Sequence, residues 1–342
     1  MRAFITGLAR SSLTVMERAF LRETQPWGLI LFKRNIGGPD SVRGLIEEVR
    51  ATLGRDAPVL VDQEGGRVQR LGPPHWPGYP PGAAYGALYD LDRQTGLAAA
   101  RLGARLIAAD LAALGIDVDC MPIADVPVAG ADPVVGDRAY GTEPNKVAAI
   151  AGAIAQGLLE GGVLPVVKHI PGHGRATADS HSELPVVSAD RATLDATDFA
   201  AFRPLAALPL GMTAHVVFTA IDPVAPATIS VTIVRDVIRD SIGFKGLLMS
   251  DDISMGALSG SVGERTRAAL AAGCDVVLHC NGEMPEMEQV AAAAPLLEGE
   301  AARRAAAALA MKRPPEPIDV AARRAEFLGL MAAAWQPAQG VA

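Results

Sequence analysis

The sequence predicts a (β/α)8 TIM-type barrel of the α/β class, and three observations carry that prediction. Short runs rich in β-branched residues alternate with Ala- and Leu-rich helical stretches, and eight such runs can be counted. Several of the runs are apolar at every position, as strands buried on both faces of a parallel sheet require. The polar residues within this rhythm (Asp62, Lys168, His169, His215, Asp251 and His279) fall at or near the C-terminal ends of the runs, which is where barrels keep their chemistry. The rival is a doubly wound open sheet. It would show Gly-x-Gly-x-x-Gly after the first strand, whereas here that strand leads into Gly7-Leu8-Ala9-Arg10-Ser11-Ser12.

Taken in order, strands are expected over 3–8, 27–32, 59–62, 118–123, 164–169, 211–217, 247–251 and 275–280. Helices are expected over 40–53, 92–114, 144–160, 230–241 and 261–272. Gly54, Gly115, Gly161 and Gly243 stand where helices should stop. The tail over 283–342 is Ala/Arg/Glu-rich with one break at Arg313-Pro314-Pro315-Glu316-Pro317. It reads as a helical extension packed on a single catalytic barrel domain spanning 1–342.

Composition narrows the function classes. Half the residues are hydrophobic and 20% are charged, an ordinary globular balance. The 31 basic and 38 acidic residues leave a net charge of −7, so no broad cationic field is present to hold a nucleic acid. Cys120, Cys274 and Cys280 show no Cys-x-x-Cys spacing and read as free thiols of a reducing compartment. Arg10, Glu17, Arg18 and Arg22 interrupt the N-terminus before any signal-like apolar core develops. The longest uncharged stretch, 204–221, is broken by prolines and His215 and makes a poor membrane span. A soluble, cytoplasmic protein is the expectation.

The densest polar segment runs from Lys168-His169 through Pro171-Gly172-His173-Gly174-Arg175 to Asp179-Ser180-His181. His169 and His173 have the i,i+4 spacing of a helical zinc site, but Pro171 and Gly172 oppose a helix and Lys168 adds a positive charge. A metal-dependent hydrolase using His169, His173, His181 and Asp251 is therefore an alternative, and the expectation is no metal and no cofactor. In the other reading, Lys168 and His169 sit at the barrel mouth as donors to a polar ligand, and a long loop carries Asp179 and His181. In an extended segment residues i and i+2 point the same way. Asp179 would then orient the His181 imidazole as a general acid/base working near neutral pH. A surface Asp-x-His is the plainer alternative.

Met249-Ser250-Asp251-Asp252 supplies adjacent carboxylates that point to opposite sides of a strand. One faces the pocket while the other pairs locally, unless the pair merely caps a helix. A pocket carboxylate facing a loop His/Asp unit is the equipment of a retaining glycosidase in which histidine replaces one carboxylic acid. Asp62-Gln63-Glu64-Gly65-Gly66-Arg67-Val68-Gln69-Arg70 ends the third strand. Asp62 there is suited either to vicinal hydroxyls or to a salt bridge with Arg67 or Arg70. In Gly136-Asp137-Arg138, Arg138 is suited either to clamping ligand oxygens or to a loop ion pair. His215 and His279 read equally as core or rim histidines.

In chain order, Asp62 through Arg70, Gly136-Asp137-Arg138, Lys168-His169 through Gly172-His173-Gly174, Asp179-Ser180-His181 and Ser250-Asp251-Asp252 together resemble the single-domain bacterial β-N-acetylhexosaminidases of glycoside hydrolase family 3. The resemblance runs from about Thr6 to Cys280. It implies a retaining exo-β-N-acetylglucosaminidase of peptidoglycan recycling in the cytoplasm. The implied substrate is a small amino sugar or muropeptide, with N-acetylglucosamine β-linked to 1,6-anhydro-N-acetylmuramic acid, and the implied assembly is a monomer or weak dimer. Residue by residue it makes Asp251 the nucleophile, His181 the acid/base and Asp179 its partner, and it puts Asp62, Arg70, Arg138, Lys168 and His169 at sugar-binding positions. Ile170 replaces an aromatic, and Arg175 after Gly174 departs from the pattern. A non-catalytic amino-sugar sensor on the same barrel is the competing class.

Overall fold

A computed structural model describes residues 1–336. Eight parallel strands close into a barrel in which each pairs with its sequence neighbour and the last pairs with the first. They are β1 (Arg2–Thr6), β2 (Pro26–Leu31), β3 (Val59–Val61), β4 (Val118–Asp119), β5 (Leu164–Ile170), β6 (Leu210–Thr213), β7 (Leu247–Asp252) and β8 (Val276–His279). The barrel expected from the alternating pattern is therefore present.

Strand periodicity builds two cores from one set of strands. Ala3 and Ile5, Leu164 and Val166, Leu210 and Met212, Leu247 and Met249, and Val276 and Leu278 pack in the barrel interior with Ile30, Leu60 and Val118. Their neighbours Phe4, Val167, Leu248 and Val277 pack outward against the helices. Both faces are dry, which explains why the runs are continuously apolar. The helix Gly299–Ala310 lends Ala305 and Ala308 to the interior cluster, so part of the tail packs on the barrel core itself. The helix Val320–Met331 lies against Arg93–Ala112 and sets Phe327 beside Tyr79 and Tyr85. Residues 337–342 of the expected extension lie outside the described residues.

Several boundaries differ from expectation. The run expected over 118–123 keeps only two strand residues, because Pro122 has no N–H to donate. The carbonyls of Met121 and Pro122 still accept from Val166 and Lys168 at 2.9 and 3.0 Å. The run expected over 211–217 ends at Thr213. Val217–Phe218 leaves the barrel and pairs in parallel with Val186–Val187, at the far end of the His-rich loop. The helix expected over 230–241 is π-helical from Ile233 to Ser241. The helix Pro144–Glu160 does not use Gly161 in the left-handed region (φ −80°); Gly162 takes that conformation at +78°. Helix Val15–Thr24, absent from the expected set, is fixed by a capping box between Thr14 and Glu17.

Candidate active site

The period of two that builds the interior also builds the site. One further inward position up the barrel from Leu60, Val166 and Met249 come Asp62, Lys168 and Asp251, which line a cavity of about 290 Å³ at the C-terminal mouth. The pairing of β5 with β6 shifts register between Val167 and Ile170, and His169 lines the same cavity beside Lys168. Arg70, Arg138, Asp179 and His181 reach it from loops. All eight residues singled out as site candidates therefore come together, although they span Asp62 to Asp251 in sequence.

One wall is a buried charge cluster. Lys168, 2% exposed, places its Nζ 2.8 Å from Asp62 Oδ1 and 2.7 Å from Glu64 Oε1. Arg70 Nη2 donates to Asp62 Oδ2 at 2.9 Å, so Asp62 does form one of the salt bridges anticipated for it. Arg67 turns instead to Asp137 at 3.0 Å. Arg138 grips Glu64 with two hydrogen bonds, Nε at 2.9 Å and Nη2 at 2.8 Å. Burial alone would raise both carboxyls. The charges of Lys168 and Arg70 override it for Asp62, holding its carboxyl well below the usual range, and Arg138 with Lys168 lowers Glu64 to about 2. Burial would likewise strip the proton from Lys168, and Asp62 and Glu64 raise it well above its ordinary value instead. The wall is thus charged near neutral pH, with each charge paired to an opposite one.

Beside it, Asp125 organises the start of the His-rich loop. Its Oδ2 lies 2.7 Å from His169 Nδ1, and its Oδ1 accepts from the His173 main-chain N–H at 2.6 Å. The fully buried carboxyl is nonetheless lowered to about 2, chiefly by His169. With Nδ1 donating to Asp125, a neutral His169 offers Nε2 to the cavity as an acceptor. The donor role expected of it would need the imidazolium.

On β7 the two carboxylates divide as expected. Asp252 pairs locally, accepting from Ser254 Oγ at 2.7 Å and Cys280 N at 3.1 Å. Asp251 lines the cavity, its Oδ1 taking the Asp252 N–H at 2.8 Å. Burial opposes its ionisation, but His215 and His169 more than compensate, so its carboxyl lies below the ordinary value. His215 is fully buried, between Thr228 Oγ1 at 2.7 Å and the Asp252 carbonyl at 2.9 Å. His279 is also fully buried, with Nε2 3.1 Å from Glu286 Oε2.

The loop over 171–185 carries the remaining pair. His181 Nδ1 lies 2.6 Å from Asp179 Oδ1, which also accepts the His181 main-chain N–H at 3.0 Å. The contact arises in a tight turn and not in the extended segment expected: Asp179 O accepts from Ser182 and Glu183 N–H. Burial would raise the Asp179 carboxyl, yet these hydrogen bonds lower it. The loop rests on the segment after β7, since Gly256 N–H donates to His181 O at 3.1 Å and Ala257 N–H to Ser180 O at 3.2 Å. Arg175 anchors its base, donating to Asp198 Oδ2 at 2.6 Å and Thr197 Oγ1 at 2.9 Å.

Two histidines of the metal alternative have other partners here, His169 Nδ1 at Asp125 and His173 Nε2 at Ser180. His169 and His173 each face a different partner, with ring centroids 5.9 Å apart and edge-on. Among the described residues no group of three His, Cys, Asp or Glu is arranged to hold a metal ion. Glu64, Asp125 and His215 are the structural members of the site that residue-by-residue reading did not assign. Glu64 stands inside a quoted segment, but its partner Arg138 is 74 positions away.

Residues 9–309 match the profile described as the glycosyl hydrolase family 3 N terminal domain. The chain belongs to glycosyl hydrolase family 3. Within it, the chain is 39% identical over 279 residues to a beta-hexosaminidase of Alkalilimnicola ehrlichii, covering 80% of this chain and 79% of that one. It is 38% identical over 307 residues to a beta-hexosaminidase of Chromobacterium violaceum, covering 88% and 84%. The fold superimposes on NagZ from Neisseria gonorrhoeae in complex with N-trifluoroacetyl-D-glucosamine with a TM-score of 0.86 and 30% identity, over 96% of this chain and 98% of that one. This family 3 member is thus a glycoside hydrolase of the bacterial β-N-acetylhexosaminidase group. Among its described residues no helix is long and apolar enough to cross a membrane.

Proposed function

We propose that the chain is a retaining exo-β-N-acetylglucosaminidase with Asp251 as nucleophile, His181 as general acid/base and Asp179 as the partner that orients it. One observation carries the reading: a strand carboxylate and a loop Asp–His pair line the same cavity as a fully paired wall of Asp62, Lys168 and His169. An ionised Asp251 attacks the anomeric carbon. As that bond forms, the glycosidic C–O bond breaks and the Nε2 proton of the imidazolium His181 passes to the leaving oxygen. The now neutral His181 takes a proton from water, which displaces Asp251 and releases the sugar with its configuration retained. Asp179 holds Nδ1–H throughout, so Nε2 is the nitrogen that exchanges protons.

The wall serves binding. Asp62 accepts sugar hydroxyls while Lys168 and Arg70 keep it charged, His169 offers Nε2 as a further partner, and Arg138 supports the wall through Glu64 and borders the cavity. Every proposed group lies on the barrel or its loops. The substrate we propose is N-acetylglucosamine β-linked to 1,6-anhydro-N-acetylmuramic acid, with or without peptide, and the setting is cytoplasmic peptidoglycan recycling by a monomer or weak dimer. No step calls on a metal, a cofactor, nucleic acid or a membrane.

Trapping with a fluorinated amino-sugar followed by peptide mass spectrometry tests this directly. The label is expected on Asp251, with Asp251→Ala abolishing turnover while ligand binding survives. A label on another residue, or full activity in Asp251→Ala, overturns the mechanism. Turnover of a chromogenic β-N-acetylglucosaminide separates an enzyme from an amino-sugar sensor.

A further inference from the structure

The mechanism needs His181 brought to the bond at the right moment, yet its side chain is two-thirds exposed and, among the described residues, its side-chain hydrogen-bond partner is Asp179 on the same loop. The residue between them behaves differently. Ser180 is 3% exposed, points inward, and places its Oγ 3.1 Å from Nε2 of His173, which is itself 4% exposed. The His173 main-chain N–H is held by Asp125, the carboxylate that also fixes His169. A continuous path therefore runs from the sugar-facing His169 through Asp125 and His173 to Ser180, the centre of the catalytic turn. Neither His173 nor Ser180 is a partner of Asp179 or His181 through its side chain.

We infer that Ser180 and His173 are positioning residues, a latch that docks the Asp179–His181 pair over the cavity for proton transfer. This rests on the proposed acid/base role of His181. The latch is polar and buried, so it works only when made: each half left unpaired in a closed loop costs more than the bond returns when formed. His173 Nδ1 is buried with no hydrogen-bond partner. A lone pair is more easily left unpaired there than an N–H, which favours the tautomer with Nε2–H donating to Ser180 Oγ. Burial, and then the neighbouring His169, lower the pKa of His173 against the opposing pull of Asp125 and Asp251, which keeps it in that neutral state. The docked turn is completed by the Gly256 and Ala257 N–H groups on the loop after β7, the strand that carries Asp251. Acid/base and nucleophile are thus registered against each other from both sides.

The test compares two substrates with the same N-acetylglucosamine: a disaccharide, whose leaving sugar needs a proton, and 2,4-dinitrophenyl β-N-acetylglucosaminide, whose leaving group does not. Ser180→Ala is expected to lower kcat/KM, which reports the glycosylation half alone, about 3- to 10-fold on the disaccharide, the worth of one hydrogen bond, and much less on the aryl substrate; the other variants of this test are compared by kcat/KM as well. Ser180→Thr, which keeps the hydroxyl, should restore the ratio, and His173→Gln should reproduce the direction of the Ser180→Ala effect. His181→Ala is measured alongside. If His181→Ala discriminates between the substrates while Ser180→Ala lowers both equally or neither, the latch is wrong and the acid/base reading stands. If His181→Ala does not discriminate, the acid/base reading falls and the latch with it.

Discussion

The two sides of the cavity are built on opposite principles. The wall of Asp62, Glu64, Lys168 and Arg138 is buried, every charge has an opposite partner within 3 Å, and its main elements are strand ends. The loop that brings Asp179 and His181 has no regular structure between Ile170 and Val186, and its Asp–His pair is partly open to solvent. The wall is where desolvated charges gain most from being held, because moving one would strand another. A proton donor that must also release its leaving group and admit water gains from the reverse, a segment that opens at low cost. In the proposed mechanism, binding falls to the buried, paired wall and proton transfer to the more exposed loop.

Breaking the loop side should give a large kinetic effect and almost no thermodynamic one. His181→Ala is expected to reduce kcat on a disaccharide by about 10²- to 10⁴-fold, the usual contribution of a general acid. An exposed site with no core contacts should leave stability within about 0.5 kcal/mol. Steady-state kinetics beside thermal melts checks both, and a large fall in melting temperature would assign the loop a role in the fold.

Breaking the wall should do the reverse. Glu64→Gln leaves Arg138 and Lys168 with one counter-charge fewer in a buried cluster, and a cost of about 3 kcal/mol is expected. Its kinetic loss should be of equal proportion on disaccharide and aryl substrates, because the residue acts on the sugar's binding wall and not on the leaving group. Discrimination between the two substrates would move Glu64 into proton transfer.

The same cluster fixes the acid limb of stability. Asp62 and Glu64 have folded pKa values below their unfolded ones, so their stabilisation is complete above about pH 5. It is lost as pH falls through the carboxylate range towards the folded values, about 2 for Glu64. Melting temperature should therefore decline steadily between those limits, and Glu64→Gln should flatten the decline. An unchanged slope in the variant would mean that other carboxyls dominate acid unfolding.

These two sides were also unequally legible in the sequence. Continuous apolar runs and polar residues at their ends were enough for the barrel and for the placement of Asp62, Lys168 and Asp251, since a period of two carries each interior strand into the mouth. Asp179 and His181 were legible as a pair because they are local, although the turn that joins them was not. What stayed hidden was pairing across the chain. Glu64 meets Arg138 and Asp125 meets His169 only once strands far apart in sequence are adjacent, and no local pattern encodes either contact. The strand expected to run to Val217 ends at Thr213 for a related reason. Its apolar character is real, but Val217 and Phe218 spend it on a small sheet with Val186 and Val187, which ties down the far end of the loop.

The base of that loop offers the mildest test of the contrast, because there the loop is fastened to a buried carboxyl. Arg175 pairs with Asp198, whose carboxyl is 1% exposed and already raised by burial. Removing the arginine does not strand a permanent charge as in the wall, since Asp198 can take up a proton instead. Arg175→Ala should therefore cost only about 1–2 kcal/mol near neutral pH. The deficit narrows towards acid as it does for Glu64→Gln, but in a higher pH window. With Arg175 gone, the folded pKa of Asp198 rises further above the unfolded value, so the folded state binds the extra proton and the deficit shrinks as pH falls from 8 to 5. Thermal melts of variant and wild type at the two ends of that range measure the change. A deficit that stays constant would show that Arg175 holds the loop through Thr197 and packing, and that Asp198 is neutral whether or not the arginine is there.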